Sequence, residues 1–269
     1  MTADNLSASN LGARIRRRVL ESAYAANKGH LGSALSICEI VAAIASEAHL
    51  FGSRDADRDR VVLSKGHASL AFYCTLVELG VLDEAHLRQY SKNGSLLQTH
   101  PDVALAGVDF STGSLGMGLG YGVGATLGAR LLGSPARTFV ILSDSELNEG
   151  STWESAALAG TLELGRLTVI LDFNGQQALG FTNEVLRVGD PAIIWHQLGF
   201  EIQHVDGHDF DAIKSLITQS GEVRSRPRLV IANTNSGHGV SFMKRRIEWH
   251  YKPMTQEQYV QALREVDQG

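Results

Sequence analysis

Between residues 138 and 234 the chain alternates unbroken apolar runs with stretches of helical spacing, and this alternation restricts the fold more than any other feature. TFVILS at 138–143, LTVILDF at 167–173 and PRLVIANT at 227–234 read as strands, and FEIQHV at 200–205 as an edge or inner strand. Continuous apolar runs of this length mark strands covered on both faces. Residues 149–164, 190–198 and 209–218 read as the helices between them. Strands separated by helices pair in parallel, so the expected fold is α/β: a three-layer α/β/α sandwich around a mostly parallel central sheet. Upstream, the periodicity predicts helices over 11–26 and 35–47, a short strand VVLS, a helix over 66–80 and another over 84–91. A terminal helix is expected over 255–265.

No repeat, low-complexity stretch or linker divides the 269 residues, which are read as one domain able to bury its own core. The net charge of -5, from 24 basic and 29 acidic residues, argues against broad nucleic-acid binding. Cys38 and Cys74 lie in apolar helical text and read as buried thiols of a reducing compartment. The opening MTADNLSASN lacks the charged and apolar regions of a signal peptide, and no run of eighteen apolar residues follows, so a soluble cytoplasmic protein with no membrane contact is expected. Glycine is abundant, at 28 residues. These glycines crowd GSLGMGLGYGVGATLGAR, a helix in which they cost propensity unless close packing requires them. Residues 93–114, just before it, read as a long active-site loop.

In a parallel sheet, ligands gather beyond the carboxyl ends of the strands. SDSELNEG follows one strand here and DFNGQQ another, so Asp144 and Asn174 are candidates to meet there. With a backbone carbonyl they form a hard oxygen set suited to Mg2+ or Ca2+ rather than zinc. The same residues also fit a plain reading, Asp144 as a helix cap and Asn174 in an Asn-Gly turn. His30, His67, His100 and His250 stand in glycine-containing loops, with His208 and His238 less clear. Imidazoles donate to oxygen and move protons near neutral pH, and their shared setting points to one polar pocket. Lys244, Arg245 and Arg246 form either a solvated charge cluster or a phosphate contact.

Over nearly its full length the chain resembles the amino-terminal thiamine-diphosphate-binding domain of transketolases, and specifically the amino-terminal subunit of split transketolases. The resemblance rests on NKGHLGSALS (27–36), DRVVLSKGHASLAFY (59–73), GVDFSTGSLGMGLGYGVG (107–124), SDSELNEGSTWESAALAG (143–160), LDFNG (171–175), VDGHD (205–209) and WH (249–250). The family's cofactor motif begins Gly-Asp-Gly and reaches an Asn thirty residues after the Asp, the separation of Asp144 and Asn174.

The resemblance implies that Asp144, Asn174 and the main-chain carbonyl of Gln176 ligate the metal. It places Gly113, Ser114 and Leu115 near the aminopyrimidine of thiamine diphosphate, and His67, Asp144, Ser145 and Asn174 near its diphosphate. His30, His100 and His250 are then the histidines facing the thiazolium and donor sugar, and Glu149 the acid at a subunit contact that links paired cofactors. The implied reaction transfers a two-carbon ketol unit from a ketose to an aldose. In this family the glutamate that activates the cofactor belongs to the next, pyrimidine-binding domain. That domain and the carboxy-terminal one are absent here, so the resemblance implies an A2B2 assembly with a separate carboxy-terminal subunit. Ser143 and Ser145 replace the flanking glycines of the family motif, and Met117 replaces a common Gln. The competing readings are a non-catalytic cofactor-binding or assembly subunit, or one belonging to another thiamine-diphosphate-dependent synthase.

Overall fold

The computed structural model describes residues 11–49, 51, 55–219 and 224–268, which leaves the opening MTADNLSASN outside the described residues. In chain order the elements are helices α1 (Leu11–Ala26), α2 (Leu31–Leu35) and α3 (Cys38–Glu47), strand β1 (Arg60–Leu63), and helices α4 (Ser69–Glu78), α5 (Glu84–Leu87) and α6 (Met117–Leu131). There follow β2 (Thr138–Ser143), α7 (Gly150–Thr161), β3 (Leu167–Phe173), the short strands β4 (Gln176–Gln177) and β5 (Gly180–Phe181), α8 (Thr182–Val185) and α9 (Pro191–Gln197). The chain continues through β6 (Glu201–Asp206), α10 (Phe210–Gln219), β7 (Arg228–Asn233) and α11 (Gln256–Gln268).

The main sheet has the order β1-β2-β3-β7-β6 and is parallel throughout. β7 inserts between β3 and β6, so β1 and β6 are the edge strands, and of the two β6 is half-exposed. Successive side chains of a strand point to opposite faces, and here both faces are apolar. Val61, Leu63, Phe139, Ile141, Ile170 and Val230 share one core with α1, α3, α4 and α10. Val62, Val140, Leu142, Val169, Leu171 and Ile231 share another with α6, α7 and α9. The three-layer sandwich expected from the sequence is therefore present.

Two expectations change in detail. The helix predicted over 35–47 begins only at Cys38, and the segment just before it, Leu31–Leu35, is a short helix of its own, followed by Ser36, whose hydroxyl donates to Asp172 (2.8 Å). The glycines of α6 divide by role. A Cβ at Gly118 would lie 2.8 Å from the Ser64 Cα and one at Gly122 2.4 Å from a Val140 methyl, so both are needed for α6 to lie against the sheet, whereas Gly124 faces open space. Cys38 and Cys74 are free and buried, and burial pushes the Cys38 thiol up to about 12. Among the described residues no helix is long and apolar enough to cross a membrane.

Candidate active site

All strands of the main sheet end on one side, and the polar residues singled out in the sequence lie there. The β2–β3 register pairs Ser143 with Asp172, and the β3–β7 register pairs Asp172 with Ala232, so the carboxyl ends of three strands form a common ledge. At its centre Asp172, fully buried, accepts from the Lys65 ammonium, the Thr234 hydroxyl, the Ser36 hydroxyl and the Asn174 amide (2.9 Å). Burial alone would raise this carboxyl, but the Lys65 charge and the surrounding donors outweigh it and hold it below the ordinary aspartate value.

Asp144 behaves oppositely. Its Oδ2 accepts from the Gly175 N–H (2.6 Å) and the Thr182 hydroxyl (3.3 Å), while Oδ1 is buried with no hydrogen-bond partner. Burial first, and then the Asp172 charge, push its pKa up to about 7. The helix-cap reading of Asp144 is thereby corrected, since its bonds run across to the β3–β4 turn and to Thr182. The Asn174 amide nitrogen is committed to Asp172 and its Oδ1 accepts from the Gln176 N–H (2.9 Å), which leaves the oxygen's second lone pair for a ligand. A buried carboxylate oxygen without a partner beside a carboxamide oxygen is a donor set that fits a hard divalent cation. Gln176 reaches elsewhere with its side chain, donating to the Arg245 carbonyl (2.9 Å).

The four loop histidines converge. Ring centroids lie 5.3 Å apart for His30 and His250, 5.2 Å for His67 and His250, 6.0 Å for His30 and His67, and 6.5 Å for His30 and His100. His30 adopts a left-handed backbone (φ 61°) and is tied to the far loop by its N–H donating to the His250 carbonyl (3.0 Å). Burial lowers all four imidazoles, and His250 falls to about 4 with help from the charges of His30 and Lys65. The rings are therefore neutral at physiological pH, each able to donate from one nitrogen and accept at the other. Lys65 joins the two groups: its ammonium binds Asp172 and its field lowers His67 and His250.

Gly113 closes against His100, whose Cδ2 lies 3.4 Å from where a Cβ would stand; Ser114 is exposed and Leu115 half-buried. This loop is held by Glu146, a fully buried carboxylate that accepts from the Gly116 N–H (2.9 Å), the Ser143 N–H (2.9 Å) and the Ser64 hydroxyl. Ser145 is half-buried with its hydroxyl 2.8 Å from that of Ser143. The side chain at 145 therefore turns back onto its own loop. Glu149 is the N-cap residue of α7 and lies against Gly116, the N-cap residue of α6.

Lys65, Asp172 and Glu146 were not anticipated as site residues. An Asp inside the apolar run LTVILDF and a Lys closing VVLS were the available signals, because a charge at a buried strand end needs a partner. Another set, Glu39, His208 and His238, has potential ligand atoms within 4.8 Å of one another. Glu39 Oε1 binds the Arg16 guanidinium and His208 Nε2 accepts the Asn235 N–H (2.8 Å), which leaves Glu39 Oε2 and His208 Nδ1 3.5 Å apart, both buried and, among the described residues, without a hydrogen-bond partner. With those two ligand atoms unpartnered, the set remains a candidate cation site.

The transketolase, thiamine diphosphate binding domain family matches residues 8–266. The chain is 33% identical over 257 residues to the 6-deoxy-6-sulfo-D-fructose transketolase subunit SqwG of Clostridium sp., covering 94% of each chain. It is 34% identical over 257 residues to an apulose-4-phosphate transketolase subunit from Actinobacillus succinogenes, covering 94% of this chain and 93% of that one. The transketolase structure from Campylobacter jejuni superposes with a TM-score of 0.89 at 26% identity, covering 98% of this chain and 43% of that one.

Proposed function

Because the chain belongs to the transketolase, thiamine diphosphate binding domain family, we propose that it is the amino-terminal subunit of a split transketolase. In this reading it transfers a two-carbon ketol unit between sugars or sugar phosphates after joining a separate carboxy-terminal subunit that supplies the activating glutamate. The assembly proposed is A2B2, in the cytoplasm. Support for a separate partner comes from the two subunit-named relatives, each matched over more than nine-tenths of its length, against 43% of the Campylobacter jejuni chain.

The observation that carries the reading is the buried, unpartnered Asp144 Oδ1 on the ledge that Lys65 links to the four-histidine cluster. Asp144, Asn174 and the Gln176 carbonyl would hold Mg2+, or Ca2+, and through it the diphosphate of thiamine diphosphate. When bound, that cofactor supplies the carbanion chemistry that amino-acid side chains lack. The chain's own residues do the rest. His67 donates toward the diphosphate side, and Gly113, Ser114 and Leu115 line the aminopyrimidine end. His30, His100 and His250, neutral at physiological pH, orient sugar hydroxyls and pass protons between them. Glu149 faces the neighbouring copy of the assembly.

The paired hydroxyls of Ser143 and Ser145 favour one other reading, a non-catalytic subunit, because they stand where the family keeps bare backbone. Mixing the purified chain with candidate carboxy-terminal partners and assaying ketol transfer, with and without Mg2+, separates the two. Metal-dependent turnover confined to the mixture is the expected result. Turnover by the chain alone would remove the need for a partner, and a stable, cofactor-loaded mixture without turnover would establish the assembly role.

A further inference from the structure

His208 and His238, the two loop histidines outside the four-ring cluster, stand together in the loops that follow β6 and β7. Their rings stack face to face, with centroids 3.5 Å apart and planes 8° from parallel. Glu39, in the first turn of α3, completes the group, and one ligand atom from each of the three residues lies within 4.8 Å of the other two.

The contact between Glu39 and His208 departs from an ordinary ion pair. Each side chain is 10% exposed and Glu39 Oε2 lies 3.5 Å from His208 Nδ1, yet among the described residues neither atom has a hydrogen-bond partner. A charge-assisted N–H···O bond closes to about 2.7–2.9 Å. Two ligands of one tetrahedral zinc, each about 2.0–2.1 Å from the ion, stand about 3.4 Å apart. The observed separation matches the second arrangement, and the ring stack brings a His238 nitrogen into the same group.

The neighbouring contacts fix these ligands without occupying them. Arg16 binds Glu39 through Oε1, which orients the carboxylate and leaves Oε2 toward His208. His208 Nε2 accepts the Asn235 N–H (2.8 Å), which places the ring proton on Nδ1. Metal uptake moves that proton to Nε2 and gives up the Asn235 bond, a single neutral hydrogen bond set against coordination by three ligands. The same contacts select the metal. The Arg16 guanidinium cancels the Glu39 charge, so no net negative charge draws Mg2+ or Ca2+, ions that also favour all-oxygen ligands. Two imidazoles and a carboxylate suit a borderline ion that binds nitrogen strongly.

We propose that Glu39, His208 and His238 form a Zn2+-type transition-metal site, separate from the Asp144–Asn174 seat. The ion ties the start of α3 to the loops after β6 and β7, and the second of these loops runs on to His250. Three protein ligands leave the fourth tetrahedral position for water. The proposal does not depend on the transketolase reading.

Calorimetric titration of the full, untagged chain with Zn2+ in excess Mg2+ tests it, with Co2+ as a spectroscopic substitute. Glu39→Gln keeps an acceptor for Arg16 but removes the anionic ligand, and His238→Phe keeps the stacked ring but removes the nitrogen, so both should fold. Wild type should bind its first Zn2+ at least roughly tenfold more tightly than either variant. His196→Gln, which changes an exposed histidine elsewhere, should stay within about twofold of wild type, as should Asp144→Asn and His250→Asn. Co2+ should give the strong visible bands of a tetrahedral site in wild type and lose them in His238→Phe. No Zn2+ binding by wild type, displacement of Zn2+ by Mg2+, or unchanged affinity in His238→Phe overturns the proposal. So does a loss in Asp144→Asn or His250→Asn equal to that in His238→Phe, because the ion then sits in the diphosphate seat or the four-histidine cluster. A chain that binds Zn2+ through His238 but never binds thiamine diphosphate would keep this site and defeat the reading of the previous subsection.

Discussion

Replacing Lys65 by Met removes the cation at the centre of the ledge, and the structure fixes how much that should cost. Both side chains of the Lys65–Asp172 pair have no exposure, so the carboxylate left behind has no water to turn to. Breaking such a pair from one side typically costs about 3–5 kcal/mol. Asp172 keeps its Ser36, Thr234 and Asn174 donors, which places the expected loss at the low end, about 3 kcal/mol. For a chain of this size that corresponds to a fall in Tm of roughly 6–12 °C. Asp172→Asn in the Lys65→Met background removes the orphaned charge while retaining an acceptor, so the double variant should recover at least about half of the loss. Urea denaturation of the four proteins in the cycle measures this. A loss below about 1 kcal/mol in Lys65→Met, or additive effects in the double variant, would refute the reasoning, because either means that the pair is hydrated or uncoupled.

Other perturbations follow from the same geometry. Glu146→Gln should destabilise by about 1–3 kcal/mol in urea, since an amide NH2 must face the Ser143 or Gly116 N–H that the carboxylate now accepts. Gly118→Ala should cost about 1–3 kcal/mol because its Cβ meets the Ser64 backbone, while Gly124→Ala, in open space, should stabilise by roughly 0.5–1 kcal/mol. His250 has a folded-state pKa near 4 against an ordinary value of 6.5, so the unfolded chain takes up the proton first as pH falls. Its contribution to stability is intact above pH 6.5, is lost progressively down to about pH 4, and His250→Asn should reduce the fall of the urea midpoint over that window, with the remainder due to the other lowered histidines.

β1, β2, β3 and β7 were legible because they are covered on both faces and therefore read as continuous apolar runs; β2 and β3 begin and end at the residues expected. β6 was less sharply defined because it lies at the edge, where burial no longer dictates every position. α2 escaped local pattern because its five residues are too few to show helical periodicity, and the bond of the following Ser36 to Asp172 spans 136 residues. The same applies within the site. Asp144, Asn174 and the histidines announce themselves by residue type and loop setting, but what holds them is Lys65 reaching Asp172 over 107 positions and Ser64 reaching Glu146 over 82. Such pairs become visible only when the sheet brings β1, β2 and β3 side by side.

The central claim is that Asp144 and Asn174 seat a divalent cation that anchors a diphosphate. Calorimetric titration of the chain with thiamine diphosphate, in Mg2+, in EDTA and with Asp144→Asn in Mg2+, tests it directly. The account predicts weak binding by the wild type that depends on Mg2+ and falls at least tenfold both in EDTA and in the variant. Equal affinity under all three conditions would contradict it.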